Sequence, residues 1–194
     1  MELIDVGLNS LYALNAWALS VIAEKIGKKK EAVRLKDEYE EIKKRINEEL
    51  WCEEKGIYLN KHWNGRFSHV LGPSLFYPMI ANVCSEEQAR RMVNEHLLNE
   101  SEFWGEYVIP SVSRNDPAYN DYRDGEINNY WRGRIWGPTN FLVSEGLKRC
   151  GFYREAHLFA KRSINVFRKE WEEYSHIHEN YDADTGEGCD VYNS

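Results

Sequence analysis

Cysteine is scarce in this 194-residue chain, and its four cysteines stand far apart: Cys52, Cys84, Cys150 and Cys189 form no C-x-x-C. That spacing suggests neither a zinc site nor a redox pair, and thiols so dispersed lead us to expect a reduced, cytoplasmic setting. No charged-then-apolar leader opens the sequence, and no apolar run approaches the length of a membrane span. An excess of basic charge is missing too. The 25 Lys and Arg face 32 Asp and Glu, giving a formal net charge of −7 and a pI near 5.5. We therefore expect no nucleic-acid partner and no attraction to an anionic membrane. Close internal repeats are also absent, which argues against a tetratricopeptide-type solenoid.

Aromatic rings are plentiful, with seven Trp and twelve Tyr. Flat rings suit the apolar faces of sugars, but they suit cores as well, so content alone decides little. At 42% hydrophobic and 29% charged residues the chain has the balance of one globular domain with a sizeable core.

Helical periodicity predicts a first helix over 3–27, with Leu8, Leu11, Tyr12, Ala16, Leu19, Ile22, Ala23 and Ile26 recurring and Gly27 as its stop. A second helix spans 29–50 on the narrow stripe Ala32, Leu35, Tyr39, Ile42, Ile46 and Leu50. The first, apolar round more of its girth, is expected to be the more deeply buried. Gly56–Leu59 and Arg66–Val70, joined through Asn64-Gly65, read as a short hairpin. A third helix follows Pro73 as far as Val83, with Pro78 as a kink. Ser85 and Gln88 form a capping box for a fourth, which ends near Leu98. About 35 residues, 99–133, are irregular, and loops that long are usually functional or disordered. The fifth helix runs from Pro138 to Cys150, stopped by Gly151, and the sixth over 153–175 on Ala156, Phe159, Ala160, Ile164, Phe167 and Trp171.

Links one to two, three to four and five to six are tight, while the other connections and the tail are long. If each tight pair is an antiparallel hairpin, every long segment emerges at one pole together with the start of the first helix. Trp51, Trp63, Trp104, Trp131 and Trp136 fall in or beside those segments. Three such hairpins suggest a curved array or toroid of helix pairs.

Two stretches at that pole carry chemistry. Tyr130-Trp131-Arg132-Gly133-Arg134-Ile135-Trp136-Gly137-Pro138 sets indoles and guanidiniums just before a helix, either as a platform for a sugar or as a plug for the helix end. His178 to Asp190, H-E-N-Y-D-A-D-T-G-E-G-C-D, is a loop crowded with carboxylates, either a site or a solvated tail. Its D-A-D-T-G start differs from a calcium loop: glycine falls at position five, and Asn193 stands at position twelve.

Together, Y-W-R-G-x-I-W-x-P, the following G-L-x-x-x-G and H-E-N-Y-x-x-x-T-G-E-G resemble the C-terminal part of the catalytic domain of glycoside hydrolase family 63. That group includes processing α-glucosidases and mannosylglycerate hydrolases and is related to trehalases. Asp5 to Tyr12 resembles the family's D-x-N-x-x-L-Y helix start, and Phe103 to Ser111, F-W-G-E-Y-V-I-P-S, another of its active-site loops. The resemblance implies an all-α (α/α)6 toroid, here an incomplete set of about six helices, and an inverting hydrolase that uses one carboxylic acid and one carboxylate base. It implies Glu179 as the general base, and Tyr130, Trp131, Arg132, Gly133, Trp136, Trp104, Glu106, Asn9, His178 and Tyr181 as sugar contacts. It implies no cofactor and no metal.

The family's general acid is an aspartate upstream of the D-x-N helix, and no residue here matches it. Asp116, Asp121 and Asp124 are the nearest substitutes, although Asp-Pro and Asp-Gly are ordinary turn pairs. The expectation is therefore an α-glucosidase or α-mannosidase half, acting on glucosyl- or mannosylglycerate or on oligosaccharides. It would be completed by a second copy or by a chain that supplies the missing half. The alternative is a non-catalytic helical module that binds carbohydrate or a protein through its aromatic pole.

Overall fold

The computed structural model describes residues 3–120, 122–123, 126–127 and 130–189, with backbone alone at 122–123 and 126–127. Asp121, Asp124, Asn193 and the stretch from Asp190 onward lie outside the described residues. Asp5 has extended backbone and its carboxylate accepts from the Leu8 amide at 2.6 Å, so α1 (Val6–Lys25) starts there. The remaining helices are α2 (Lys29–Leu50), α3 (Tyr77–Ile80, after a 3-10 turn at Pro73–Phe76), α4 (Glu86–Arg91), α5 (Gly137–Arg149) and α6 (Tyr153–Tyr174). The Ser85–Gln88 capping box is present, and α4 widens into π-helical turns over Met92–Leu97.

The three tight links are one motif used three times. A left-handed residue, Gly27 (φ 76°), Asn82 (φ 54°) or Gly151 (φ 82°), reverses the chain after α1, α3 and α5. In each, the next amide reaches back five residues: Lys28 to Ala23, Val83 to Pro78 and Phe152 to Leu147, at 2.8–2.9 Å. These paired bonds are the Schellman pattern that satisfies the last carbonyls of a helix. Three chain reversals result; α1 packs on α2, α5 on α6, and α3 against both α1 and α5. The core runs along this arc through Ala13, Tyr39, Ile46, Phe76, Met79, Val143, Leu147 and Phe159. This is an all-α arrangement of toroid type, and six helices of it are present among the described residues.

At the opposite pole short strands tie the long segments together. β1 (Leu3–Ile4) pairs with β4 (Lys61–His62), and β2 (Trp51–Cys52) with β3 (Ile57–Tyr58). β5 (Tyr122–Arg123) pairs with β6 (Glu126–Ile127). β7 (Ile135–Trp136), β8 (Asn180–Tyr181) and β9 (Gly188–Cys189) form a three-stranded sheet, and Pro110 bridges to Ile135.

Five expectations need correction. Ile57-Tyr58 pairs with Trp51-Cys52 instead of 66–70, because a tight turn with left-handed Gly56 (φ 67°) and the Lys55 and Gly56 amides on the Cys52 carbonyl brings those two strands together. The Asn64-Gly65 hairpin is real but shorter, bridging Lys61 to Phe67. Helix α1 is more deeply buried than α2, as expected, but on a different stripe: it buries its small residues, Ser10, Ala13, Ala16, Ser20 and Ala23, and Leu8, Leu19, Ile22 and Ile26 are exposed. Helix α6 buries Ala156, Phe159, Ser163, Val166 and Glu170 and exposes Ile164 and Trp171, a stripe rotated from the expected one. Helix α1 meets α2 and α3 on the side where small residues permit close approach, and α6 turns Val166 and Glu170 toward the β7–β9 sheet. In addition, α1 is long and apolar enough to cross a membrane by length and composition, which the sequence reading denied. In this structure one of its faces is built into the bundle. Finally, Cys84 and Cys150, distant in sequence, meet at 3.9 Å between sulfurs.

Candidate active site

Strand β7 delivers the aromatic platform. The Trp131 and Trp136 rings stack 4.0 Å apart at 8°, and Tyr130 stands edge-on to Trp136 at 4.7 Å. Trp136 is buried, and its Nε1 donates to the Tyr130 carbonyl at 3.0 Å, which fixes the stack from beneath. Trp131 is 59% exposed. A planar apolar face is thus turned outward and held rigid by a ring behind it, the arrangement that suits the C–H face of a sugar. Gly133 (φ 152°) allows the turn, because a Cβ there would meet Asn120 Oδ1 at 2.5 Å. The backbone is pinned on both sides: the Gly133 amide donates to Ser111 Oγ at 3.0 Å, and the Arg132 carbonyl accepts from the Asn120 amide at 2.7 Å.

Glu179 meets this platform. It is exposed, and its Oε2 accepts a 3.0 Å hydrogen bond from the Tyr130 hydroxyl. The next residue along, Asn180, is fully buried and accepts from Arg134 Nη1 at 3.0 Å, while the Arg134 guanidinium lies 5.7 Å from the Tyr130 ring centre. Tyr181 is fully buried against Ile135 and Val166, and its hydroxyl accepts from the His178 amide at 2.9 Å. His178 Nδ1 lies 2.7 Å from Oε2 of Glu170, a carboxylate of α6 that is 3% exposed. The other oxygen of Glu170 accepts from the Gly188 amide at 3.1 Å.

The predicted residues thus divide. The structure brings Tyr130, Trp131, Trp136 and Glu179 together, with the backbone of Arg132 and Gly133 as their base. It turns His178 and Tyr181 inward, where they hold the loop, and a fully buried phenol does not face a sugar in this state. Trp104 and Glu106 line a separate hollow with Arg162 and Asn165, and the Arg162 guanidinium lies 4.5 Å from the Trp104 ring centre. Asn9 sits in the first turns of α1, where its Nδ2 donates to the Asp5 carbonyl at 2.7 Å. It lines a hollow between α1 and α2 with Tyr12 and Ile46. Asp116 accepts from the Ala118 amide at 2.8 Å, a turn role rather than an acid's.

Sequence reasoning missed the supports. Asp184 accepts from Tyr119 at 2.7 Å and from Asn120 Nδ2 at 2.9 Å, so the carboxylate loop is latched to the long 99–133 segment. Burial, followed by that carboxylate, pushes the Tyr119 phenol pKa up. Arg114 Nη2 adds bonds to the Tyr107 and Ala183 carbonyls at 3.0 and 3.2 Å. Asp182 explains the D-x-D-T-G spelling: one of its oxygens accepts from both the Asp184 and Thr185 amides, at 2.8 and 2.9 Å, closing a turn at Gly186.

A helical-hairpin arc with a carboxylate beside a stacked tryptophan pair at one pole suits a glycoside hydrolase of toroid type. Family comparison agrees: residues 1–193 match the mannosylglycerate hydrolase MGH1-like glycoside hydrolase domain. The chain belongs to that family, within glycoside hydrolase family 63, and corresponds to the C-terminal part of its domain. It is 31% identical over 147 residues to the mannosylglycerate hydrolase of Thermus thermophilus, a match covering 73% of this chain and 31% of that one. It is 32% identical over 147 residues to the cytosolic neutral trehalase of Kluyveromyces lactis, covering 74% and 19%. In structure it superposes on the family 63 mannosylglycerate hydrolase of Thermus thermophilus with a TM-score of 0.81 at 24% identity, covering 96% of this chain and 41% of that one. The chain therefore spans well under half the length of these relatives.

Proposed function

We propose that this chain carries the general-base half of an inverting α-glycosidase site acting on small α-mannosides or α-glucosides such as mannosylglycerate or glucosylglycerate. Glu179 draws a proton from the water that attacks the anomeric carbon, and Trp131 over Trp136 carries the sugar ring. The carboxylic acid that protonates the leaving oxygen comes from outside residues 1–194, from another segment or from a partner chain. Inverting pairs need the two carboxyls roughly 6.5–9.5 Å apart with water between them, and an exposed Glu179 leaves that space open. One observation carries the reading: Glu179 Oε2 is held at 3.0 Å by Tyr130, at the edge of the stacked tryptophans. The exposed apolar residues of α1 and α6 favour association with the completing half, and the cytoplasm is the proposed setting.

The test fuses the acid-bearing N-terminal segment of the Thermus relative to this chain. Hydrolysis of mannosylglycerate, glucosylglycerate and trehalose is then followed, with the product anomer read by NMR. The isolated chain should be inactive. The fusion should hydrolyse at least one of these substrates with inversion, and Glu179→Gln should lower its rate by a factor of about 10² to 10⁴. A fusion whose turnover survives Glu179→Gln refutes the base, and Glu179-dependent turnover by the isolated chain refutes the external acid.

A further inference from the structure

Cys84 and Cys150 lie 66 residues apart in sequence, yet their sulfurs are in van der Waals contact at 3.9 Å. Each flanks a chain reversal at the pole opposite Glu179. Cys84 follows the left-handed Asn82 between α3 and α4, and Cys150 caps the C-terminus of α5 just before Gly151. Both are partly buried against the main core, so they are held in place yet not sealed from small solutes. Cys150 Sγ also contacts the Met79 carbonyl at 3.7 Å, on the last turn of α3. Arg149, next in sequence, is fixed by a 2.7 Å bond to the Ile80 carbonyl.

We propose that Cys84 and Cys150 form a reversible oxidation site, which a low-molecular-weight disulfide of the glutathione type converts to an intrachain disulfide. A disulfide needs its sulfurs about 2.05 Å apart, so the pair must close by roughly 2 Å, which side-chain rotation beside two turns can supply. The order of events follows from the surroundings. The hydrogen bond from Cys84 and the charge of Arg149 together outweigh burial and hold the Cys150 thiol pKa down; the bond to Cys150 and burial push Cys84 up. Cys150 as thiolate attacks one sulfur of the reagent, breaks its S–S bond and expels one thiolate, leaving a mixed disulfide. Cys84 then gives up its proton and attacks the Cys150 sulfur, forming the Cys84–Cys150 bond and expelling the second thiol. The protein loses two protons and two electrons, and one reagent disulfide takes them up to become two thiols. The bond would tie the second hairpin turn to the third and clamp α3 to α5. Glu179, at the other pole, would be chemically untouched.

The experiment treats the full chain with oxidised glutathione, traps the remaining thiols by alkylation, and maps disulfides by peptide mass spectrometry before and after dithiothreitol. The expected product is a Cys84–Cys150 linked peptide that disappears on reduction. Oxidation should raise the melting temperature by about 5–15 °C, because a closed loop of this length restricts the unfolded chain. Cys52→Ser and Cys189→Ser should leave both results in place; Cys84→Ser and Cys150→Ser should remove both, with Cys84→Ala and Cys150→Ala as substitutes if either serine variant misfolds. Glutathione adducts on Cys52 or Cys189 with Cys84 and Cys150 still reduced would overturn the proposal. So would a linked peptide that forms only in urea, and neither result depends on any glycosidase activity.

Discussion

Glu170→Ala should loosen the segment that carries Glu179 without unfolding the protein. Glu170 is 3% exposed on α6 and serves two groups of the carboxylate loop: the His178 ring at 2.7 Å and the Gly188 amide at 3.1 Å. Alanine leaves both without their carboxylate partner. The loop loses a hydrogen bond from its Gly188 amide to a charged group and a contact of the His178 ring with that charge, so its attachment should weaken by about 2–4 kcal/mol. The His178 ring lies close against the Gly188 backbone, since a Cβ there would be 2.0 Å from His178 Nδ1. The loop is joined to the rest by two-residue strands, and it can open by itself at less cost than global unfolding. The assay is amide hydrogen exchange by mass spectrometry on peptides covering 176–189, with α1 and α2 as internal references. Exchange in the loop should accelerate by about 30- to 900-fold, the free-energy range converted at 1.36 kcal/mol per decade, while the reference helices stay within about threefold. A loop whose exchange is unchanged in Glu170→Ala would show that Glu170 does not hold it.

Two further perturbations test the scaffold. Asn140 is buried and accepts from the Ile109 amide at 3.1 Å while donating to the Val108 carbonyl and Ser163 Oγ at 2.7 Å each; Asn140→Ala should therefore lower stability in urea by about 3–5 kcal/mol, and a loss under about 1 kcal/mol would refute this accounting. His96 contacts Glu102 Oε2 and the Lys55 carbonyl at 2.7 Å each. Burial pushes its pKa down, but the Glu102 hydrogen bond, the Lys55 carbonyl and the nearby carboxylate charges outweigh burial and leave it raised. A raised histidine stabilises the fold fully below its unfolded pKa of about 6.5, and that share is lost as pH climbs through the folded value. Urea midpoints should therefore fall as pH rises above about 6.5, and His96→Gln should flatten that slope.

Helix ends were legible because their causes are local. Gly27, Gly151, the Ser85 box and Pro138 act within a turn of themselves, and the structure places helix ends within a few residues of each. What no local rule contains is which side of a helix meets a neighbour. On α1 the large residues make the obvious stripe, yet Ala13, Ala16 and Ala23 are buried, since close approach to α2 and α3 needs small side chains. The misassigned hairpin has the same origin. Asn64-Gly65 is a true turn signal, but it does not say which strands pair, and the turn at Gly56 joins Ile57-Tyr58 to the nearer Trp51-Cys52.

At the site, the motifs point to groups that the structure gathers at one pole and not to those that hold them there. Tyr130, Trp131, Trp136 and Glu179 belong to contiguous motifs, so spelling alone draws attention to them. Glu170 has no motif; its signal is phase. It continues the series Phe159, Ser163 and Val166 at helical spacing, and a carboxylate at a position otherwise given to buried residues must have a partner. That partner is the residue beside Glu179. Loop residues alternate in role: His178 turns to Glu170, Glu179 to Tyr130, Asn180 to Arg134 and Tyr181 to the small core of Ile135 and Val166. A carboxylate flanked on both sides by anchored neighbours loses little further freedom when it takes up its working position, so its exposure coexists with a defined geometry. His178 and Tyr181 therefore bear on Glu179 through the backbone they hold.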